Sequence, residues 1–200
     1  MPSFRDKTPK HRPDRAVCQH YTSYKGTLRV DFNHRCGYCN GWDGIRIRHY
    51  TIDHFVPRNP DGWINPIPPN RYKNLIYSCS FCNGYKKNIW PTEKPYKHND
   101  GKIGFIKPTS YSYGRLFERD SNGAIKPKSS SSIGKYIHEK LHLGWDLHSL
   151  NWRMEKFIAQ EAELEKLQKT VTDPTIKKEI EKIKTLRCEI FDIRNQLVNG

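Results

Sequence analysis

The sequence predicts an α+β protein in which a small core of strands and one helix is stapled by four cysteines and followed by a C-terminal helical hairpin. Three observations carry that expectation. Cys36-Gly-Tyr-Cys39 and Cys79-Ser-Phe-Cys82 form two Cys-x-x-Cys pairs with 39 residues between them. Residues 45–52 alternate apolar and polar side chains, the signature of a half-buried strand, and residues 74–79 read as a second short strand. Within the C-terminal segment, residues 176–197 hold apolar side chains at spacings of three and four over three heptads, with near-balanced charge on the other faces.

Composition bounds the partners. The 200 residues suffice for one compact domain, or for a small domain with a helical arm. Hydrophobic residues make up 35% and mean hydropathy is −0.88, so the core is modest and a metal staple would help it fold. The net charge of +14 favours a polyanionic partner such as nucleic acid. Residues 151–200 carry 10 Lys and Arg against 9 Asp and Glu, so 13 of the 14 excess charges precede residue 151. No apolar run approaches the roughly 18 residues of a membrane span, and the first residues lack the apolar stretch of a signal peptide. The expectation is a soluble, cytoplasmic protein with no membrane partner, in which Cys18 and Cys188 are ordinary buried thiols.

Along the chain, residues 1–35 form a basic lead-in. Arg5, Lys7, Lys10, Arg12 and Arg15 lie on a segment that reads either as flexible or as contacting phosphate, and residues 20–35 favour a short helix. The strand at 45–52 delivers Asp53 and His54 at its end. Pro57 and Asn59-Pro60-Asp61-Gly62 then break into a loop that Pro66, Pro68 and Pro69 keep irregular. After the second strand, residues 79–88 fit a helix of about ten residues that stops before Pro91. Residues 36–92 thus form the core and 93–150 a loop-rich extension packed on it. In that extension Ile103, Phe105 and Ile106, then residues 123–125, read as strand fragments, and residues 133–152 as helix.

Residues 151–200 are the hairpin. Its first helix aligns Met154, Phe157, Ile158, Leu164, Leu167 and Val171. Its second opens at Asp173-Pro174, where Asp can cap and Pro suits the first turn, and continues through Ile176, Ile180, Ile183, Leu186, Ile190, Ile193 and Leu197. Such a pair closes on itself as an antiparallel hairpin, or serves self-association or partner docking.

Cys36, Cys39, Cys79 and Cys82 supply two turns of two sulfurs each, the donor set of a structural Zn²⁺; paired redox dithiols are the weaker reading. A four-sulfur site is closed, so this zinc would clamp the chain rather than activate water. The residues between the pairs hold other chemistry. Asp53 and Asn83 offer hard oxygen donors suited to Mg²⁺ or Mn²⁺. His54 can take a proton from water near neutral pH. Asn83 follows a ligand cysteine directly, and Lys86 and Lys87 lie three and four residues on. His49, on the face of Asp53 by the two-residue period, and His34 are further candidates, His49 for phosphate contact. Trp42, Trp63 and Trp90 cluster around these residues, for packing or for stacking on bases.

The pattern Cys-x-x-Cys, Ile-Asp53-His54-Phe-Val-Pro57, Asn74-Leu, Cys-x-x-Cys82-Asn83-x-x-Lys86 resembles the HNH nucleases, with their ββα-metal fold. The likeness covers residues 36–88. A looser one, through Trp90-Pro91, Asp120-x-x-Gly123-x-Ile125 and Tyr136-x-x-x-Lys140-Leu141, is similar to the HNH subunit found beside an ATPase in Septu-type and retron-linked anti-phage systems. The resemblance implies that His54 is the general base and that Asp53 and Asn83 hold one divalent cation. It implies that Asn74 orients the His-bearing loop and that Arg58, Lys86 and Lys87 contact phosphate. Asn83 stands where many members carry His, which leaves the metal's identity open. The implied function is hydrolysis of phosphodiester bonds in DNA, more than RNA, leaving 5′-phosphate and 3′-hydroxyl ends. The competing readings are a non-catalytic, zinc-stapled nucleic-acid-binding module and a subunit active only with an ATPase partner docked through 151–200.

Overall fold

Helix forms ahead of the first cysteine pair because apolar side chains recur there at helical spacing. The computed structural model describes residues 3–45 and 48–199. A 3-10 turn at Tyr21–Tyr24 runs into α1 (Lys25–Asp31), burying Tyr24, Leu28 and then Phe32, while Arg29 stays outside and pairs with Asp43 at 2.6 Å. Asn33 and His34 take φ of 54° and 60°, turning the chain sharply toward Cys36.

β1 (Tyr50–His54) and β2 (Leu75–Cys79) pair antiparallel, with Tyr50 opposite Cys79 and His54 opposite Leu75. β1 starts later than the alternation suggested. Asp43–Ile45 is a 3-10 turn whose acid is held by Arg29 and by the Tyr77 hydroxyl at 2.8 Å, and Arg46 and Ile47 lie outside the described residues. β2 is buried along its whole length, since α1 packs against it as well as β1. It leads directly into α2 (Ser80–Lys86), shorter than expected: Lys87 leaves helical geometry at φ 45°, and its N–H donates to the Asn83 carbonyl at 3.0 Å.

In the extension, the strand expected at 103–106 reduces to a bridge between Asn99 and Gly104, whose φ of 109° departs from extended geometry. The short helix α3 (Tyr111–Gly114) precedes a hairpin of β3 (Phe117–Arg119) and β4 (Ile125–Pro127), and Asp120 Oδ1 closes the turn by accepting from the N–H of Asn122 and Ala124. Ser3 bridges to Glu118, which seats Phe4 against Tyr113 and Phe117. Arg5 is therefore buried and donates to the carbonyls of Pro108 (3.0 Å) and Gly37 (2.7 Å), so at this point the basic lead-in belongs to the core. α4 (Ser132–Lys140) is capped by the Ser131 hydroxyl, which accepts from the Gly134 N–H at 2.9 Å. The single helix expected over 133–152 breaks at residues 141–145, where His142 has φ 48°, and α5 (Asp146–Thr170) starts afresh.

The chain divides into two units, Met1–Arg153 and Met154–Gly200. The second contains most of α5 and all of α6 (Pro174–Asn199). Asp173 Oδ1 accepts from the N–H of Thr175 at 2.7 Å, and Gln168 bonds Glu181 at 2.5 Å and Lys184 at 3.0 Å across the turn. Ile180 is buried, but Ile158, Leu167, Ile176, Ile183 and Leu186 are exposed. The side chains of Ile190, Ile193 and Leu197 lie outside those described. Cys188 is exposed and Cys18 half-buried, so neither is the buried thiol expected. No described helix is long and apolar enough to cross a membrane.

Candidate functional site

Each cysteine pair sits on a tight turn that the surrounding backbone fixes. The Cys36 N–H donates to the Gly41 carbonyl at 2.9 Å, and the Asn40 N–H donates back to the Cys36 carbonyl at 2.9 Å. The Gly37 N–H donates to Tyr77 of β2 at 2.8 Å, which ties this turn to the strand that ends at Cys79. Gly37 is required for that approach: a Cβ there would lie 2.7 Å from Ile76 and 2.8 Å from Phe32. The four sulfurs of Cys36, Cys39, Cys79 and Cys82 lie within 4.8 Å of one another, all buried. Cys39 and Cys79 Sγ are 3.9 Å apart, close to the ~3.8 Å edge of a tetrahedron with Zn–S of about 2.3 Å. Four buried thiols in this arrangement can hold a zinc ion.

Cations surround the cluster, as the net negative charge of a four-thiolate centre requires. Arg48 Nη2 approaches Cys39 Sγ at 3.9 Å, and Arg48 Nη1 meets His148 Nδ1 at 3.2 Å. Burial alone would lower the Arg48 pKa, but the sulfurs of Cys39 and Cys79 hold it above its ordinary value. Arg119 donates to the Cys39 carbonyl at 2.9 Å. Neither arginine was singled out from the sequence: Arg119 lies 80 residues from Cys39, and Arg48, though nine residues from it, bears no local mark of the contact.

A second, polar site opens where β1 ends. Asp53, His54, Arg58, Asn83 and Lys87 line one open cleft of about 260 Å³. Tyr21, Ile52, Pro57, Asn59 and Asn88 complete its walls, and the Tyr21 ring stands edge-on to His54 with centroids 4.8 Å apart. His54 Nε2 lies 2.8 Å from the Pro69 carbonyl oxygen. A carbonyl can only accept, so Nε2 carries the hydrogen and Nδ1 keeps the lone pair. Burial pushes His54 below the usual imidazole value, against the opposing pull of the Pro69 carbonyl and Asp53.

The remaining candidates divide. Asn74 is buried and grips the backbone after His54 twice: its Oδ1 accepts from the Val56 N–H at 3.0 Å and its Nδ2 donates to the Val56 carbonyl at 3.0 Å. Lys86 does not reach the surface where phosphate would meet it. Its ammonium is buried, 3.2 Å from Asp53 Oδ2, and donates to the His54 carbonyl at 2.9 Å. Burial lowers its pKa, and Asp53 opposes that. Asp53 also accepts a short hydrogen bond from Tyr38, whose own pKa burial and Asp53 together raise. His49 precedes β1, is exposed, and does not line the cleft; its carbonyl accepts from the Ser80 N–H at 3.0 Å. His34 is likewise absent from the cleft, Trp90 is buried in the core, and Trp42 is tied to Asn151 by two hydrogen bonds. Tyr21 and Tyr38 escaped sequence reading because nothing in their local pattern marks them.

Fold and site together define an α+β protein with small two-stranded sheets, a buried four-cysteine centre fit for zinc, and a basic polar cleft beside it. No family model matches the chain. Among curated proteins it is similar to the Septu protein PtuB of Bacillus mycoides (strain KBAB4), with 27% identity over 201 residues, covering 85% of this chain. The chain spans 66% of that protein's length.

Proposed function

We propose that the chain is an HNH endonuclease that hydrolyses phosphodiester bonds in DNA with a divalent cation, and that it acts in the cytoplasm in defence against phage. The observation that carries this reading is the His54 cleft. Its imidazole is held in one tautomer by Pro69, stands at the end of β1, and shares the cleft with Asp53 and Asn83. In this reading β1, β2 and α2 are the ββα-metal unit within residues 36–92, residues 93–150 support it, and 151–200 are an accessory arm.

The chemistry follows from the residues. His54 Nδ1 takes the proton of a water attacking the phosphorus, and the lowered pKa keeps it neutral and able to do so. Arg58 and Lys87, exposed at the cleft, hold the flanking phosphate oxygens. Asp53 and Asn83 supply one carboxylate and one amide oxygen, and Mg²⁺ or Mn²⁺ commonly makes do with few protein ligands beside water and phosphate. A carboxylate has about four acceptor positions, so the contacts from Tyr38 and Lys86 leave Asp53 able to serve as a ligand. Bound there, the cation would offset charge on the phosphate and on the leaving 3′-oxygen. Asn74 keeps the His54 loop in register through Val56.

Cleavage of supercoiled plasmid, with Mg²⁺ or Mn²⁺, tests the reading. Wild type should nick or linearise it, and His54→Ala should abolish the product while retaining DNA binding; cleavage that survives His54→Ala would sink the assignment. The similarity to a Septu protein supports the defence role. The exposed apolar residues of α5 and α6 favour one refinement, a nuclease subunit that cuts only when a partner such as an ATPase, or a second copy, covers that arm. Activity restored by the partner but not by metal alone would select it.

A further inference from the structure

The loop that carries Pro69 has a second face. Pro68, Arg71 and Lys73 are common walls of two grooves, of about 320 and 410 Å³, within the range of built ligand pockets. The smaller has Phe55, Tyr96 and His98 on its walls and Arg71, Lys73 and Lys107 as its cations. The larger adds Arg12 and Arg15 beside Tyr24. No carboxylate lines either groove among the described residues. Arg12 is partly neutralised by Asp31 at 2.8 Å, but Arg15 has a buried Nε without a hydrogen-bond partner. Burial lowers the Lys107 pKa and the nearby Lys73 and Arg71 lower it further, so these cations crowd one another without a counter-charge. Tyr96 is 80% exposed at this rim, an aromatic face with nothing stacked on it among the ring contacts described.

Crowded cations ask for a polyanion, and an apolar, aromatic floor asks for something flat and uncharged between the anionic groups. A paired duplex presents phosphates but hides the faces of its bases; an unpaired strand offers both. We infer that the joined grooves bind an unpaired DNA strand, with phosphates against Arg71, Lys73 and Lys107 and bases stacked on Tyr96 and laid beside His98. Pro69 in the same loop holds His54, so the strand leaves or enters beside the cleft. That placement relative to the cut rests on the nuclease reading; the binding does not.

The test uses the full chain carrying His54→Ala, without added Mg²⁺ or Mn²⁺, and fluorescence anisotropy with a labelled single strand and a hairpin duplex of equal length. The single strand should bind more tightly. Combining Arg71→Gln, Lys73→Gln and Lys107→Gln should raise its Kd at least about tenfold and reduce the slope of log K against log salt by about 2, since each phosphate contributes about 0.7 on a single strand. Tyr96→Ala, at an exposed position that cannot unfold the core, should weaken the single strand at least about fivefold and leave the duplex unchanged. Equal affinity of the His54→Ala chain for strand and duplex, or an unchanged Kd when the three further substitutions are added, overturns the inference. If the triple variant binds normally while the wild type cuts plasmid, the groove fails and the nuclease stands. If the groove binds and neither metal alone nor metal with the partner gives cleavage, the nuclease reading fails alone.

Discussion

Lys86 and Lys87 are neighbours with opposite environments because α2 ends between them. Lys86 points its buried ammonium at Asp53, while Lys87, past the helix, is exposed at the cleft. Breaking a buried ion pair from one side leaves an uncompensated charge, at a cost of about 3–5 kcal/mol. Lys86→Met should therefore lower stability by that order in chemical denaturation, whereas Lys87→Met should leave it within about 0.5 kcal/mol and weaken DNA binding instead. Equal effects of the two substitutions on stability would contradict the placement of Lys86. His54 gives a second residue-scale outcome. A general base must be neutral, so kcat/KM for plasmid nicking should rise with pH through the free His54 pKa. Because burial depresses that pKa, the midpoint of the acid limb should fall below 6.5. A midpoint above 6.5 would show that another group is the base.

At the scale of elements, the four-cysteine centre fixes α2 to the turn before β1, and through α2 it fixes Asn83. Cys82→Ser should lose the stoichiometric zinc measured by inductively coupled plasma mass spectrometry. It should also remove much of the stability of residues 3–153, since metal affinity in such modules, about 10–16 kcal/mol in zinc-finger peptides, is folding free energy. Full stability with no zinc bound would show that the core stands without the staple. This centre was legible in the sequence because two Cys-x-x-Cys turns carry their geometry locally. The strand ends were half legible: the alternation at 45–52 located Asp53 and His54 but not the 3-10 turn at Asp43–Ile45, which depends on Arg29 and Tyr77 from distant elements. The helix break at 141–145 and the burial of Arg5 were hidden for the same reason. In the site, the spacing that gathered Asp53, His54 and Asn83 could not tell which of two consecutive lysines faces inward. It could not see Tyr21 and Tyr38 either, whose roles exist only once α1 and the first turn have packed.

For the whole molecule, the basic charge and four half-buried histidines act together on acid stability. His11, His54 and His138 each have Nε2 within 2.9 Å of a backbone carbonyl, those of Leu75, Pro69 and Ile125, and His98 packs edge-on to Phe55 and Trp90. Burial lowers the pKa of all four below the ordinary imidazole value, and cationic neighbours such as Lys107 add to it at His11 and His98. The unfolded chain then binds more protons than the native one just below pH 6.5, so the sign of the linkage makes stability rise with pH through that window. The contribution is fully present above pH 6.5 and is lost as pH falls through the unfolded value toward the lower native ones. The hydrogen bonds of His11, His54 and His138 survive protonation, since Nε2 already donates; what is lost is the neutrality of half-buried groups in a chain with a net charge of +14. The melting temperature should hold steady between pH 8 and 7 and fall progressively below about 6.5. His138→Gln, far in sequence from the cysteines, should flatten that fall while leaving zinc content equal to wild type. If wild type and variant instead lose stability in parallel as zinc is released, thiolate protonation rather than histidine burial sets the acid limit.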